Sequence, residues 1–194
     1  MSYPTKVRVK DKEYFINTDF RIAIECNSIA KNTDIGDYER ALAIIYKLFG
    51  EEGLNDLENH CELLEKGQKY LLCGKEIESD VREEDVDMDF EQDMDYIEAS
   101  FMSDYNIDLA NIEMHWWKFY NLMNGLSNSE LGNCCVLNRV RNLRNYDTSQ
   151  IKDVKEKTKI EKAKQQVALK RKDKKLTRQQ EESIERFNKL AGIS

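Results

Sequence analysis

Residues 94–126, MDYIEASFMSDYNIDLANIEMHWWKFYNLMNGL, carry apolar side chains three or four residues apart. That spacing indicates amphipathic helices that each bury one face. The inward residues predicted for a first helix are Met94, Ile97, Phe101 and Tyr105. Asn106–Asp108 is typical of a break, and Asp108 is suited to cap a second helix from Leu109 to about Met123. The inward residues predicted for that helix are Leu109, Ile112, Trp116, Phe119 and Met123.

The composition of the whole chain agrees with helices. The 194 residues include 8 glycines and 1 proline, so few positions interrupt a helix. Hydrophobic residues make up 40% of the chain, enough for a core, and charged residues make up 35%. We therefore predict a mainly α fold, in which a helical bundle carries a short N-terminal β-hairpin and a C-terminal charged helical extension.

The N-terminal part predicts the hairpin and three helices. Val7–Lys10 and Glu13–Ile16 read as two short strands. Phe20–Ala30 and Asp37–Phe49 read as helices, and Gly50 is expected to stop the second. The inward stripe predicted for the next helix is Leu54, Leu57, Cys61, Leu64, Gln68 and Leu71.

The distribution of charge divides the chain. Between Lys75 and Tyr96 there are eleven acidic residues, with Arg82 as the one basic residue, which predicts an exposed linker. Lys152–Lys189 contains fourteen basic and seven acidic residues, which predicts a solvated tail. The predicted parts are residues 1–75 with the hairpin and helices, 76–93 as the acidic linker, 94–146 as the rest of the core, and 147–194 as the charged helical tail.

Two capping patterns set further helix boundaries. Ser127 and Glu130 match a capping box, which predicts a helix reaching about Arg144. Thr177 and Gln180 are placed to cap a final helix in the tail. The apolar residues of that final helix are Ile184, Phe187 and Leu190.

The chain offers few groups for chemistry. It contains neither a phosphate-binding loop nor a G-x-S-x-G nucleophile motif, and the acidic linker lacks the ligand order of an EF-hand. His60, Cys61 and Cys73 have no fourth metal ligand at a usable spacing, so the five cysteines are read as small hydrophobic residues. We therefore predict no enzyme activity, no cofactor, no metal, and no catalytic, cofactor-binding or metal-binding residues.

Charge and hydropathy also bear on localisation. The polar start of the chain has no signal-peptide core, and the apolar runs are too short to span a membrane. Unpaired cysteines fit a reducing compartment.

The net charge of -7 does not favour nucleic acid as a partner, although Lys155–Arg178 keeps a basic nucleic-acid-binding helix as the alternative. The cluster at Lys170–Lys172 and Lys174–Lys175 could instead dock on the acidic linker or on an acidic partner.

The aromatic cluster at His115–Tyr120 has two interpretations. Consecutive helical residues point about 100° apart, so one neighbour cannot bury all of them. A wide core face in the central helix explains the cluster without any partner. Alternatively, aromatic side chains favour interfaces, and a protein-binding surface is then formed by Trp117 and Tyr120, with Met114 and His115 beside them.

Several stretches resemble one family of siphophage and prophage proteins of Gram-positive bacteria. The resemblance covers residues 5–172, and His115-Trp116-Trp117 is its most distinctive element. The other matching stretches are Thr18–Arg21, Phe49, Leu72–Lys75, Asp93–Ile97, Ser100-Phe101, Tyr105–Leu109, Met114–Phe119, Leu122 and Gly125-Leu126.

That resemblance implies a role in tail assembly. The family is encoded between the major tail protein and the tape measure protein, a position similar to that of tail assembly chaperones. It implies a non-enzymatic chaperone that binds the tape measure protein in the host bacterial cytoplasm. The major tail protein and a second copy of the chain are further expected partners, and membranes are not. A structural tail component that stays in the virion is the other alternative.

Overall fold

The computed structural model describes residues 2–75, 86–128 and 134–170, which form a two-stranded hairpin and seven α-helices. The strands are β1 Lys6–Val9 and β2 Lys12–Phe15. The helices are α1 Phe20–Lys31, α2 Asp37–Leu54, α3 His60–Leu71, α4 Met94–Tyr105, α5 Trp116–Asn124, α6 Val136–Asn145 and α7 Val154–Val167, with a short 3-10 helix at Leu57–Asn59 before α3. The predicted mainly α fold with a short N-terminal hairpin is confirmed.

The hairpin rests on the helices, as a two-stranded sheet must. Its strands pair antiparallel, and the buried side chains of Val9 and Tyr14 face the core. Lys10 in the turn has a φ of 51°. The Asn17 N–H donates a 2.8 Å hydrogen bond to the Leu48 carbonyl of α2. Both strands begin and end one residue earlier than the sequence predicts.

Stacked aromatic rings connect three helices in the core. The rings of Phe20 and Phe119 lie 4.6 Å apart with an interplanar angle of 12°. Phe119 stacks in the same way on Phe101, at 5.1 Å and 12°. All three side chains are buried. The stack therefore joins α1, α5 and α4, and it places the start of α5 at the centre of the fold.

Two glycines shape the contact between α2 and α3. Gly50 has a φ of 64° and interrupts the helical backbone, so the predicted stop is a kink and α2 continues to Leu54. A Cβ at Gly67 of α3 would lie 2.9 Å from Cδ1 of Leu48. A larger residue at this position would therefore force the Leu48 side chain to shift.

The predicted inward stripe of α3 is wrong in its rotation. Leu63, Gly67 and Tyr70 are the buried residues, whereas Cys61 and Gln68 are exposed. The prediction assumed one continuous helical phase from Leu54 onward. The 3-10 helix breaks that phase, and α3 begins with a different face toward the core.

The helix α4 follows the prediction, and the helix after it begins later than expected. α4 ends where Asn106 adopts a left-handed conformation with a φ of 52°. Residues 107–115 are not helical, and α5 starts only at Trp116. Nη2 of Arg21 donates hydrogen bonds of 2.5 Å to the Leu109 carbonyl and 3.1 Å to the Ile112 carbonyl. These carbonyls therefore bind a side chain of α1 instead of a further helical turn.

The second half of the predicted acidic linker is part of the folded body. Residues 86–93 pack on the helices, and the Phe90 ring lies 5.8 Å from that of Trp116. Asp93 is 0% exposed, and its carboxylate binds the Arg144 guanidinium through hydrogen bonds of 2.6 and 2.7 Å. Asp89 forms a 2.9 Å ion pair with Lys31. The linker prediction is therefore corrected for 86–93, and residues 76–85 lie outside the described part.

The helix predicted from Ser127 also starts later, at Val136. Asn128 and Cys134 form an isolated β-bridge, and the Cys135 N–H donates a 2.9 Å hydrogen bond to the Ser127 carbonyl. Ser127 thus pairs with Cys135, which is the residue that caps α6, and does not cap the helix itself. Glu130 lies outside the described residues.

The tail begins as a docked helix. Ile160 and Val167 of α7 are half-buried, and Nε of Arg144 donates a 2.6 Å hydrogen bond to the Val167 carbonyl. The final helix predicted from Thr177 lies in residues 171–194, outside the described part. Among the described helices, none has the length and apolar character needed to cross a bilayer.

Candidate partner-binding groove

The predicted binding residues lie at the start of α5, where His115 fixes the geometry. Nδ1 of His115 accepts a 3.0 Å hydrogen bond from the Trp117 N–H, so the imidazole caps the helix. A neutral imidazole carries one N–H, so Nε2 donates the 2.9 Å hydrogen bond to the Pro4 carbonyl. The ring also stacks on Tyr3 at a centroid distance of 5.0 Å. His115 therefore ties the N-terminal segment to α5.

The two tryptophans close the end of α3. Nε1 of Trp116 donates a 2.9 Å hydrogen bond to the Leu71 carbonyl, and Nε1 of Trp117 donates one of 2.9 Å to the Tyr70 carbonyl. The last four carbonyls of a helix have no partner within it, and both indoles donate to such carbonyls of α3. The Tyr70 carbonyl also accepts a 2.9 Å hydrogen bond from the Cys73 N–H. Gly74 then turns the chain with a φ of 73°, and a Cβ there would lie 3.3 Å from the Trp117 ring.

The start of α5 is also joined to the start of α1 by main-chain hydrogen bonds. The Trp116 N–H donates to the Thr18 carbonyl at 2.7 Å, and the Phe20 N–H donates to the Met114 carbonyl at 3.0 Å. Asp19 caps α1 by accepting a 2.8 Å hydrogen bond from the Arg21 N–H. The stretches Thr18–Arg21 and Met114–Phe119 therefore form one framework, and it brings α1, α3 and α5 together.

This framework gives the four predicted binding residues different environments. Met114 is only 4% exposed, so its predicted place on a binding surface is corrected to a place in the core. His115 and Trp117 are half-buried and make the capping hydrogen bonds described above. Tyr120 is half-buried on the flank of α5, and its ring has Lys75 Nζ at 4.8 Å from the centroid. Of the four, Tyr120 lines a surface groove.

The groove has a volume of about 420 Å³. Residues 86–90 form one side, and α5 with the turn after it forms the other. Its apolar lining consists of Val86, Met88, Phe90, Tyr120, Met123 and Leu126. Val86 is 42% exposed at the rim, whereas Leu126 is buried at the floor. The groove thus offers apolar and aromatic contact in a concave surface.

Polar groups also line the groove, and two arginines hold residue 87 in place. Nε of Arg141 donates a 3.1 Å hydrogen bond to the Asp87 carboxylate, and the two form an ion pair. Nη1 of Arg144 donates a 2.7 Å hydrogen bond to the Asp87 carbonyl. Asn124 and Asn138 also line the groove. The lining therefore combines apolar and polar side chains, as protein-binding surfaces do.

The histidine and cysteine side chains of the described residues do not line this groove. Within the described ranges, no three His, Cys, Asp or Glu side chains are placed to hold a metal ion. Burial raises the pKa of Cys26 to about 12 and that of Cys73 to about 11, so both thiols stay protonated near neutral pH. Cys61 is exposed, and Nε2 of the neighbouring His60 donates a 2.9 Å hydrogen bond to the Leu54 carbonyl.

Sequence reasoning missed most of the groove. It assigned residues 86–93 to a linker, and it assigned Met123 to the core stripe of α5. Residues 86–90 read VDMDF, in which apolar and acidic residues alternate. Such alternation is typical of an extended segment that turns one face toward the protein. This pattern was the available signal for Val86, Met88 and Phe90.

One family of known proteins matches a part of the chain that contains this whole framework. The family model described as Bacteriophage Gp15 protein matches residues 2–169, which include the whole hairpin and all the described helices. No curated protein and no solved structure matches the chain. The family match covers both stretches of the framework and both sides of the groove. The chain therefore belongs to the bacteriophage Gp15 protein family.

Proposed function

We propose that this phage protein is a non-enzymatic tail assembly chaperone that binds the tape measure protein in the host cytoplasm. The observation that carries the proposal is the groove, which presents Tyr120, Met123, Phe90 and Met88 within one concave surface. Membership of a bacteriophage family supports a role in building the particle. The resemblance to proteins encoded next to the tape measure protein supports the choice of partner.

The shape and chemistry of the groove suit a helical partner. An amphipathic helix binds such a surface by laying its apolar face into it, with anchor side chains one turn apart. Met88 and Met123 have flexible, unbranched side chains that adapt to different apolar surfaces. A tape measure protein presents many similar stripes along its length, so an adaptable site serves a chaperone better than a rigid one.

The small volume of the groove also favours reversible binding of the partner. A groove of about 420 Å³ accommodates only a few side chains of a partner helix, so each contact is weak. Many copies acting along one long partner would nevertheless hold it in solution through their combined affinity. The tail tube could then displace the copies one by one as it polymerises.

Co-purification tests this proposal. The tape measure protein of the same phage is co-expressed with the wild-type chain, with Met123→Glu, and with Met102→Glu as the matched control. Met102 is an exposed methionine of α4 outside the groove. We expect Met123→Glu to reduce the recovered tape measure protein at least ten-fold, because a carboxylate cannot be buried against an apolar stripe. Equal recovery with both variants would remove the groove from the proposal.

The composition of purified virions separates a chaperone from a structural component. A chaperone leaves the tail when the tube closes, so we expect mass spectrometry of purified particles to detect the tape measure protein without this chain. Detection of the chain at a fixed ratio to the tape measure protein would instead assign it to the virion. That second role fits the family membership equally well.

A further inference from the structure

We propose that α7 carries a second binding site, a row of lysines that binds the phosphate groups of double-stranded nucleic acid. The lysine row consists of Lys155, Lys159 and Lys162, and all three residues are exposed. Because the row binds phosphates, it accepts a duplex of any base sequence. None of the three residues lines the groove, so the inference does not depend on the proposed function.

The docking of α7 on the body determines which of its faces points outward. Ile160 and Val167 are half-buried, and they lie on one side of the helix because successive residues are about 100° apart. At the same angle per residue, Lys159 and Lys162 lie within about 40° of Lys155 around the axis. The lysine row therefore runs along a face that is turned away from the docked side.

The acidic residues of α7 lie off this row. Glu156 and Glu161 are about 90° or more around the helix from its middle. Glu161 forms a 3.9 Å ion pair with Lys157, and Asp153 caps the helix by accepting a 2.8 Å hydrogen bond from the Lys155 N–H. Within the described part of the chain, none of the three row lysines forms an ion pair with a carboxylate. The row is thus positive charge that its own helix does not neutralise.

The dimensions of the lysine row suit a nucleic-acid backbone. Lys155 and Lys162 are about 10 Å apart along the helix axis, at 1.5 Å per residue. Double-stranded DNA carries about one phosphate charge per 1.7 Å of its length, so roughly six phosphates lie along that distance. Each lysine carries its charge on a flexible four-carbon stem, which lets the ammonium group reach a phosphate without exact alignment.

The chemistry around the lysine row favours phosphates over an acidic protein. Lysine is depleted at protein interfaces, where aromatic and apolar side chains supply most of the affinity. Here Gln166 continues the row by one turn and Thr158 flanks it, so polar side chains extend the charged strip. Amide and hydroxyl groups also bind phosphate oxygens. The row therefore has the composition of a surface that contacts a nucleic-acid backbone.

The net charge of -7 does not cancel this local attraction. At 0.1 M salt, exposed charges more than about 10 Å apart are largely screened from each other. A bound phosphate is therefore attracted mainly by the lysines next to it. Acidic and basic residues alternate along the sequence of α7, and only the folded, docked helix separates them onto different faces.

Fluorescence anisotropy with a labelled DNA duplex of about 20 base pairs tests the inference on the full-length protein. The row variant combines Lys155→Gln, Lys159→Gln and Lys162→Gln. The control variant changes the net charge equally, at exposed positions elsewhere in the fold, through Lys10→Gln, Lys69→Gln and Lys118→Gln. Circular dichroism checks that both variants keep the helical content of the wild type.

Binding through phosphates depends steeply on salt, because each contact releases a bound counterion. Three lysine contacts contribute about 2.7 to the slope of log affinity against log salt, so we expect wild-type affinity to fall about 40-fold or more between 50 and 200 mM salt. At 50 mM salt the row variant should bind about ten-fold more weakly than the wild type, with a slope smaller by about 2.7. The control variant should match the wild type in both measurements.

Three results would overturn the inference. Unchanged affinity of the row variant would mean that other residues hold the duplex. An equal loss in the control variant would mean that net charge alone matters. Equal affinity for a labelled poly-glutamate peptide would assign the lysine row to acidic proteins instead of nucleic acid. None of these results would change the co-purification of the tape measure protein, so the two proposals fail separately.

Discussion

The indole N–H of Trp117 donates a 2.9 Å hydrogen bond to the main-chain oxygen of Tyr70, and the two rings stack at a centroid distance of 6.2 Å. One side chain of α5 thus both caps the end of α3 and packs on its last buried residue. Trp117, which the sequence offers as part of a binding surface, therefore belongs to the framework. Tyr120 and Met123, which face the groove, are better positions for testing binding.

Replacing Trp117 by a smaller aromatic residue tests the role of its indole N–H in capping α3. Trp117→Phe keeps an aromatic ring but leaves the Tyr70 carbonyl without the indole donor. We expect the free energy of unfolding to fall by about 1 kcal/mol, measured by urea denaturation. Tyr146→Phe, which changes an exposed ring, is the control and should have no effect. Equal stability of the Trp117 variant and the wild type would contradict the capping role.

Removing the hydroxyl of Tyr70 should have the opposite result. This group is buried and has no hydrogen-bond partner among the described residues, and burial raises the pKa of Tyr70. Because an unpaired polar group is costly to bury, Tyr70→Phe should leave the melting temperature unchanged or raise it. A clear decrease in the melting temperature would show that the hydroxyl has a partner.

The buried ion pair between Asp93 and Arg144 should dominate the stability of the C-terminal half. Asp93→Asn would leave the Arg144 guanidinium without its counter-charge, and we expect a loss of about 3 kcal/mol in the free energy of unfolding. Asp95→Asn is the matched control, because Asp95 is exposed. The outcome that contradicts the account is an equal effect of the two substitutions in chemical denaturation.

The buried thiol of Cys26 predicts a pH dependence. Burial raises its pKa from 9.0 to about 12, so between these values the unfolded chain loses a proton that the folded chain keeps. The contribution of Cys26 to stability is therefore fully present below about pH 9 and is lost as the pH rises toward 12. The free energy of unfolding should fall more steeply between pH 8 and 10.5 in the wild type than in Cys26→Ala. Parallel slopes would contradict this assignment.

The elements that the sequence predicted well are those governed by local pattern. The helix α4 has a continuous apolar stripe, and Asn106 ends it as expected because its left-handed conformation suits asparagine. The hairpin is displaced by one residue, since the turn forms where Lys10 adopts a positive φ. In both cases neighbouring residues along the chain contain the necessary information.

The elements that the sequence predicted poorly depend on distant residues. Residues 107–115 carry a helical pattern, yet Arg21 binds the Leu109 and Ile112 carbonyls from a separate helix. Residues 86–93 have the composition of a linker, yet Asp93 finds its counter-charge in Arg144 more than fifty residues later. Such partners cannot be read from a single sequence, because they are brought near only by the fold.

The most direct test of the groove as the binding site is photo-crosslinking in the complex with the tape measure protein. The chain carrying p-benzoylphenylalanine in place of Val86 is co-expressed with that partner, purified as the complex and irradiated. We expect position 86 to become joined to the tape measure protein, whereas the same label at position 38, an exposed position of α2, should not. Crosslinks from position 38 but not from position 86 would contradict it.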